Sequence, residues 1–150
     1  MAIRACIADR LQNAASLILR ESLMEFYFPT EFAEQVAFIG AAITLLLGLL
    51  IMFAPGLAMS FLGLRPAEGR NQGFSEVRST GGFYVGCGLS ALLFAQDWIY
   101  LTIGAAFAIS AFARVLSLLS DRANEARNYL LLVVHIILAA LPLAYVFQLI

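Results

Sequence analysis

Four long apolar runs constrain this chain more than any other feature. They are Ala33 to Ala54, Val77 to Ala95, Ile99 to Leu119 and Tyr129 to Gln148. A helix crossing a bilayer needs about 20 largely apolar residues, and each run is close to that length. In lipid every backbone N–H and C=O must find its partner inside the protein, so only helices and closed barrels span a membrane. The alternation that a barrel strand requires is absent, which leaves helices. The runs predict an all-α membrane protein, an antiparallel bundle of four transmembrane helices over residues 32–150. Composition agrees: 62% of the residues are hydrophobic and 13% charged, and the mean hydropathy is +0.89. A soluble domain is about half apolar and a quarter charged. With 150 residues there is room for one such domain.

The ends of the runs carry stop and start signals. Thr30 is placed to cap the first helix, with Glu31 and Glu34 near its positive end. Pro55-Gly56 stops it. Leu57 to Leu64 is too short to span and suits an interfacial position. Arg65 to Gly73 reads as a polar loop, Gln96-Asp97-Trp98 as a tight turn, and Asp121 to Asn128 as the last connection. Pro142 removes one helical hydrogen bond and predicts a kink in the fourth span.

Arginine placement predicts the orientation. Arg65, Arg70 and Arg78 flank the first loop, and Arg122 and Arg127 the third, whereas the second turn and the C-terminus have none. The positive-inside rule then puts loops 55–79 and 120–128 in the cytoplasm and both ends outside. Trp98, Tyr100, Tyr145 and Phe147 fall at the outer interface, where aromatic belts form. Arg4, Arg10 and Arg20, in the extension of residues 1–31, conflict with that placement. Two readings resolve the conflict. Ile3, Ile7, Leu11, Ala14 and Ile18 share one face and suit an N-terminal amphipathic helix lying on the membrane. Alternatively, translation starts at Met24 and removes those arginines.

Small residues mark where helices can approach. Gly40, Thr44 and Gly48 recur every four residues in the first span, and Gly82, Gly86 and Ser90 in the second. These stripes suit packing inside the bundle or a homodimer face.

Polar side chains within the spans gather toward one end, leaving the outer half nearly bare. Arg114 precedes Asp121 by two turns, which puts it about 10 Å inside the cytoplasmic end of its helix. His135 lies at similar depth on the neighbouring span, and Glu76 and Arg78 stand at the same end. Glu76, Arg78, Arg114, Asp121 and His135 thus form a candidate intramembrane polar cluster, in which Glu76 is the expected counter-ion of Arg114. Snorkelling of Arg114 to the headgroups is the plain structural alternative, and an anion or lipid-headgroup pocket the functional one. An unperturbed histidine titrates near neutrality, so His135 suits either a proton carrier or a hydrogen-bonded structural role.

Other chemistry is not suggested. Cys6 and Cys87 have no partner pattern, and with a single histidine no metal site is expected. A net charge of −1 gives no basic field for nucleic acid. No nucleophile–base pair, phosphate loop or cofactor motif is present, so neither an enzyme nor a cofactor is expected.

At "SEVRSTGGFYVGCGL" and "ARVLSLLSDR" the chain resembles a bacterial family labelled domain of unknown function 4345, over Phe32 to Phe147. The shared pattern is an E-x-R before a glycine-rich helix, then an arginine followed by an acid. Here these positions are Glu76, Arg78, Gly81, Gly82, Gly86 and Gly88, then Arg114 and Asp121. The resemblance implies a small four-span protein of the bacterial inner membrane. Family members often carry a glutamate in the last span, where this chain has His135. Histidine supplies no fixed negative charge, which turns the expectation back to Glu76. Some relatives carry a phage-infection label. Three functions follow as expectations. The first is a structural or accessory protein that binds a membrane-protein partner or a second copy of itself. The second is a small proton- or anion-linked transporter or channel using Arg114 and His135. The third is an envelope protein exploited in phage infection.

Overall fold

The computed structural model describes residues 28–66, 71–121 and 125–150, and among them every regular element is a helix. In chain order these are α1 (Phe32–Phe53), α2 (Pro55–Leu62), α3 (Gln72–Phe94), α4 (Asp97–Ser120) and α5 (Ala126–Val146). The amphipathic segment and Met24 lie outside the described residues, as do Arg70 and Arg122.

Helices α1, α4 and α5 are long and apolar enough to cross a membrane. Helix α3 has the length, with 23 residues, but Glu76, Arg78 and five glycines lower its hydropathy. The outward surface is that of a membrane protein: Leu46, Phe83, Ile109, Leu119 and Val133 are all more than half exposed. In water such a surface would drive aggregation.

Several boundaries differ from expectation for identifiable reasons. Glu31, not Thr30, is the N-cap of α1, and it makes no side-chain capping bond. Helix α3 begins five residues earlier than the apolar run, because nothing between Gln72 and Glu76 stops a helix. Pro55 both ends α1 and opens α2, since its fixed φ suits the first helical position. Helix α5 begins three residues before the apolar run and, like that run, continues through Pro142.

Two antiparallel hairpins build the bundle. Helix α1 packs along α3, α4 packs along α5, and α1 against α5 joins the pairs. Helices α3 and α4 are consecutive in the chain yet meet only sparsely.

The α1–α3 seam is a backbone-to-backbone contact. A methyl at Gly88 would stand 2.6 Å from the Leu45 nitrogen, at Gly48 2.6 Å from the Val85 nitrogen, and at Gly81 2.5 Å from the Met52 nitrogen. With no hydrophobic push available in lipid, such close approach supplies the van der Waals energy that holds helices together. Gly40 packs on Leu141 and Pro142 in the α1–α5 contact. The other expected stripe behaves differently. A methyl at Gly82 or Gly86 meets nothing within 4 Å, and Ser90 is half-buried. The assignment of Gly82 and Gly86 to packing inside the bundle is therefore corrected: Gly81 and Gly88, one face away, take that place. Thr44 is buried, and its hydroxyl donates to the Gly40 carbonyl at 2.8 Å.

Candidate functional site

The sparse α3–α4 contact follows from chain geometry. Only Ala95 and Gln96 separate the two helices, so they must converge there. Ala95 makes this possible by adopting a left-handed conformation, φ 45° and ψ 45°. Ten residues from the turn on each side, Tyr84 and Phe107 touch edge to face at 5.6 Å. Beyond that contact the helices part, and a cleft of about 1020 Å³ opens toward the Arg114 end. Its walls are apolar, with Leu47, Leu50, Val134 and Leu138 among them, and Glu76, Arg114, Arg127 and His135 also line it.

Arg114 and His135 face each other across the α4–α5 hairpin. Arg114 Nε lies 3.3 Å from His135 Nδ1, and Arg114 Nη1 donates to Asn128 Oδ1 at 3.0 Å. His135 Nδ1 also lies 2.6 Å from the Leu131 carbonyl one turn back. A single nitrogen cannot donate to the carbonyl and accept from the arginine at once. At 2.6 Å two bare lone pairs would repel strongly, so the proton belongs on Nδ1 and donates to Leu131. Arg114 is then anchored through Asn128, and its Nε rests beside the imidazole. Phe107 completes the wall, 5.7 Å from the His135 ring.

The expected counter-ion is placed elsewhere. Glu76 is exposed on α3, where its carboxylate accepts from Gln72 Nε2 at 3.3 Å. It lines the same cleft as Arg114, yet the Arg114 guanidinium donates to Asn128 and lies against the His135 ring instead. The Glu76–Arg114 ion pair is thus corrected to a hydrogen-bonded arginine facing a carboxylate across open space. Asp121 is exposed at the C-cap of α4, where its backbone N–H bonds to Ser117.

Arg78 has a separate task. Its guanidinium donates to the Met52 carbonyl at 2.8 Å. The chain leaves helical geometry at Ala54, so Met52 is among the last carbonyls of α1 that lack a helical partner. A cation there also meets the negative end of the helix dipole.

Three residues at the mouth were not part of the polar cluster expected from the sequence. Asn128 lies two turns before His135 on the same helical face, a spacing that could have paired them. Arg65 and Arg127 line a second hollow of about 290 Å³ beside the cleft, with Ser60, Leu64 and Arg127 common to both. Gly63, at φ 75°, leaves room for the Arg127 guanidinium, which would stand 3.0 Å from a side chain there.

The opposite end is not bare. Glu34 and Tyr100 are buried there. The Tyr145 hydroxyl donates to Asp97 Oδ1 at 2.9 Å, and the Tyr100 and Tyr145 rings meet edge to face at 5.5 Å. The sequence expectation of an almost apolar outer half is corrected accordingly. Among the described residues no group of three or more His, Cys, Asp or Glu side chains could hold a metal ion.

Comparison with protein-family models, curated proteins and solved structures finds no match to this chain.

Proposed function

We propose that this chain is an accessory protein of the bacterial inner membrane that works by binding, not by catalysis, and that the α3–α4 cleft is where it binds. One observation carries the reading: two helices adjacent in sequence diverge to leave a cleft of about 1020 Å³, with a hydrogen-bonded arginine in its wall. A structural bundle without a ligand or partner would gain contact energy by closing that gap. In this reading α3 is the fourth span, which its packing along α1 supports. The arginine distribution supports cytoplasmic loops at 55–79 and 120–128. Membership of the 4345 family, with its phage-infection label, stands on the Glu76, Arg78, Arg114 and Asp121 pattern alone.

Occupancy of the cleft is testable in native membranes. In a background with Cys6 and Cys87 replaced by serine, Val77→Cys and Val134→Cys place thiols in the cleft. A membrane-permeant maleimide should label both in delipidated protein and label them slowly in native membranes. Equal labelling in the two preparations would remove the binding reading.

The Arg114–His135 contact of 3.3 Å favours a second reading, proton- or anion-linked transport. Flux into liposomes that His135→Phe abolishes would establish it, and flux unchanged by that substitution would exclude the residue from any path.

A further inference from the structure

The shape of the cleft limits what can occupy it. It is closed at one end by the Tyr84–Phe107 contact and by the short turn beyond. From Leu138 to Arg127 its α5 wall runs eleven residues, or about 16 Å of helix. The hydrocarbon core of a bilayer is about 30 Å thick, so the cleft spans one leaflet and stops. A transmembrane helix of a partner or of a second copy needs the full thickness and would meet the closed apex. An acyl chain needs only half.

Charge is distributed to match. The deep part is aliphatic and aromatic, lined by Leu47, Leu50, Phe107 and Leu138, and α2 continues the apolar wall toward the mouth with Leu57 and Phe61. The mouth and the adjoining hollow carry three guanidinium groups, from Arg65, Arg114 and Arg127, against one lining carboxylate, Glu76. Glu125 stands just outside, near Gly63. Arg114 lines the cleft and is already held by Asn128, so engaging an anion there costs its side chain little further ordering. Guanidinium groups above an apolar slot one leaflet deep match a molecule with an anionic phosphate head and hydrocarbon tails. The volume is at the upper end of the roughly 300–1,000 Å³ usual for ligand sites, enough for a large amphiphile.

We propose that the α3–α4 cleft binds one anionic phospholipid from the leaflet on the Arg114 side, its phosphate held by Arg114 and Arg127 and its tails against Leu47, Leu50 and Leu138. Arg65 lies at the rim and contacts the headgroup beyond the phosphate. The inference rests on the cleft being a binding site, as proposed above, and names its occupant.

Native mass spectrometry of the full chain in neutral detergent tests it. The protein is titrated with phosphatidylglycerol, with phosphatidylcholine of the same tails, and with inorganic phosphate. One phosphatidylglycerol should bind per chain, at least about tenfold tighter than phosphatidylcholine: both carry the phosphodiester, but choline puts a quaternary ammonium, which repels a guanidinium and forms no hydrogen bond, where Arg65 meets the headgroup. Inorganic phosphate should not compete at comparable concentration, because it lacks the tails. Arg127→Gln is exposed and should fold normally while weakening phosphatidylglycerol by about tenfold. Thr80→Trp, at the cleft wall, should abolish binding by filling the slot, and it serves if Arg114→Gln proves unstable. Equal binding of the two lipids, unchanged binding by Thr80→Trp, or competition by inorganic phosphate would each overturn the proposal. Disulfide cross-linking of Val77→Cys to Val134→Cys between two chains would overturn it in favour of a second copy as occupant. Thiol protection in native membranes without lipid preference would sink the lipid while leaving the binding cleft standing. Absence of protection would remove both.

Discussion

Gly88→Ala and Gly86→Ala are two residues apart on one helix and should differ sharply in stability. Both gain the same helix propensity over glycine, about 1 kcal/mol in the interior of a helix in water, so that contribution cancels in the comparison. The new methyl at position 86 meets nothing within 4 Å. At position 88 it lies 2.6 Å from the Leu45 nitrogen and 2.9 Å from the Ala41 carbonyl oxygen, both backbone atoms that no rotamer change can move. Comfortable heavy-atom contact begins at about 3.5 Å, so α1 and α3 must part by about 0.9 Å (3.5 minus 2.6). Overpacking of this kind costs about 1–3 kcal/mol, and the same separation loosens the neighbouring contacts at Gly48 and Gly81. Gly88→Ala should therefore be about 1–3 kcal/mol less stable than Gly86→Ala, measured by reversible unfolding in mixed micelles with increasing dodecyl sulfate. Equal stabilities, or a more stable Gly88→Ala, would refute the α1–α3 seam.

Three further outcomes follow from the same structure. Arg78→Gln removes the group that satisfies the Met52 carbonyl and should destabilise by about 1 kcal/mol, since the contact is exposed and partly replaced by water; no change in the unfolding midpoint would remove that role. Nitrogen-15 NMR of the single histidine should find the neutral ring protonated on Nδ1, given the 2.6 Å contact to Leu131, and an Nε2-protonated ring would reverse the assignment. Ala95→Gly relieves a left-handed alanine and should stabilise by about 0.5–1 kcal/mol after the entropy of the unfolded glycine is subtracted, with a fall in stability counting against the turn geometry.

Much of the architecture was legible because lipid leaves few options. Apolar runs of spanning length fixed three helices to within a few residues, and Pro55 marked its break from α1 correctly. Which glycines pack was not legible. Gly82 and Gly86 are four apart and Gly81 and Gly88 seven apart, and both spacings lie along a helix face. The choice depends on where α1 sits, and no local signal in α3 reports that. Depth along the helices brought Arg114 and His135 to the same level, but depth says nothing about rotation about each axis. That rotation leaves Glu76 across a gap from Arg114 and sends Arg78 to the end of α1. The mouth arginines were counted for orientation, and their second use required knowing that α2 and the Gly63 bend fold back beside α5.

The pairing of α1 with α3 and of α4 with α5 also has a consequence for biogenesis. The first pair is joined backbone to backbone, and all its partners have been synthesised by the time Gln96 leaves the ribosome. We expect this half to fold in the membrane while the second half is still being made, and a chain ending at Gln96 that fails to insert and resist protease would contradict that order. The cleft is then the seam between an early hairpin and a late one. Its walls are complete only once the second hairpin docks through α5 onto Gly40, so the docking of the two halves is the first moment at which the cleft can hold an occupant.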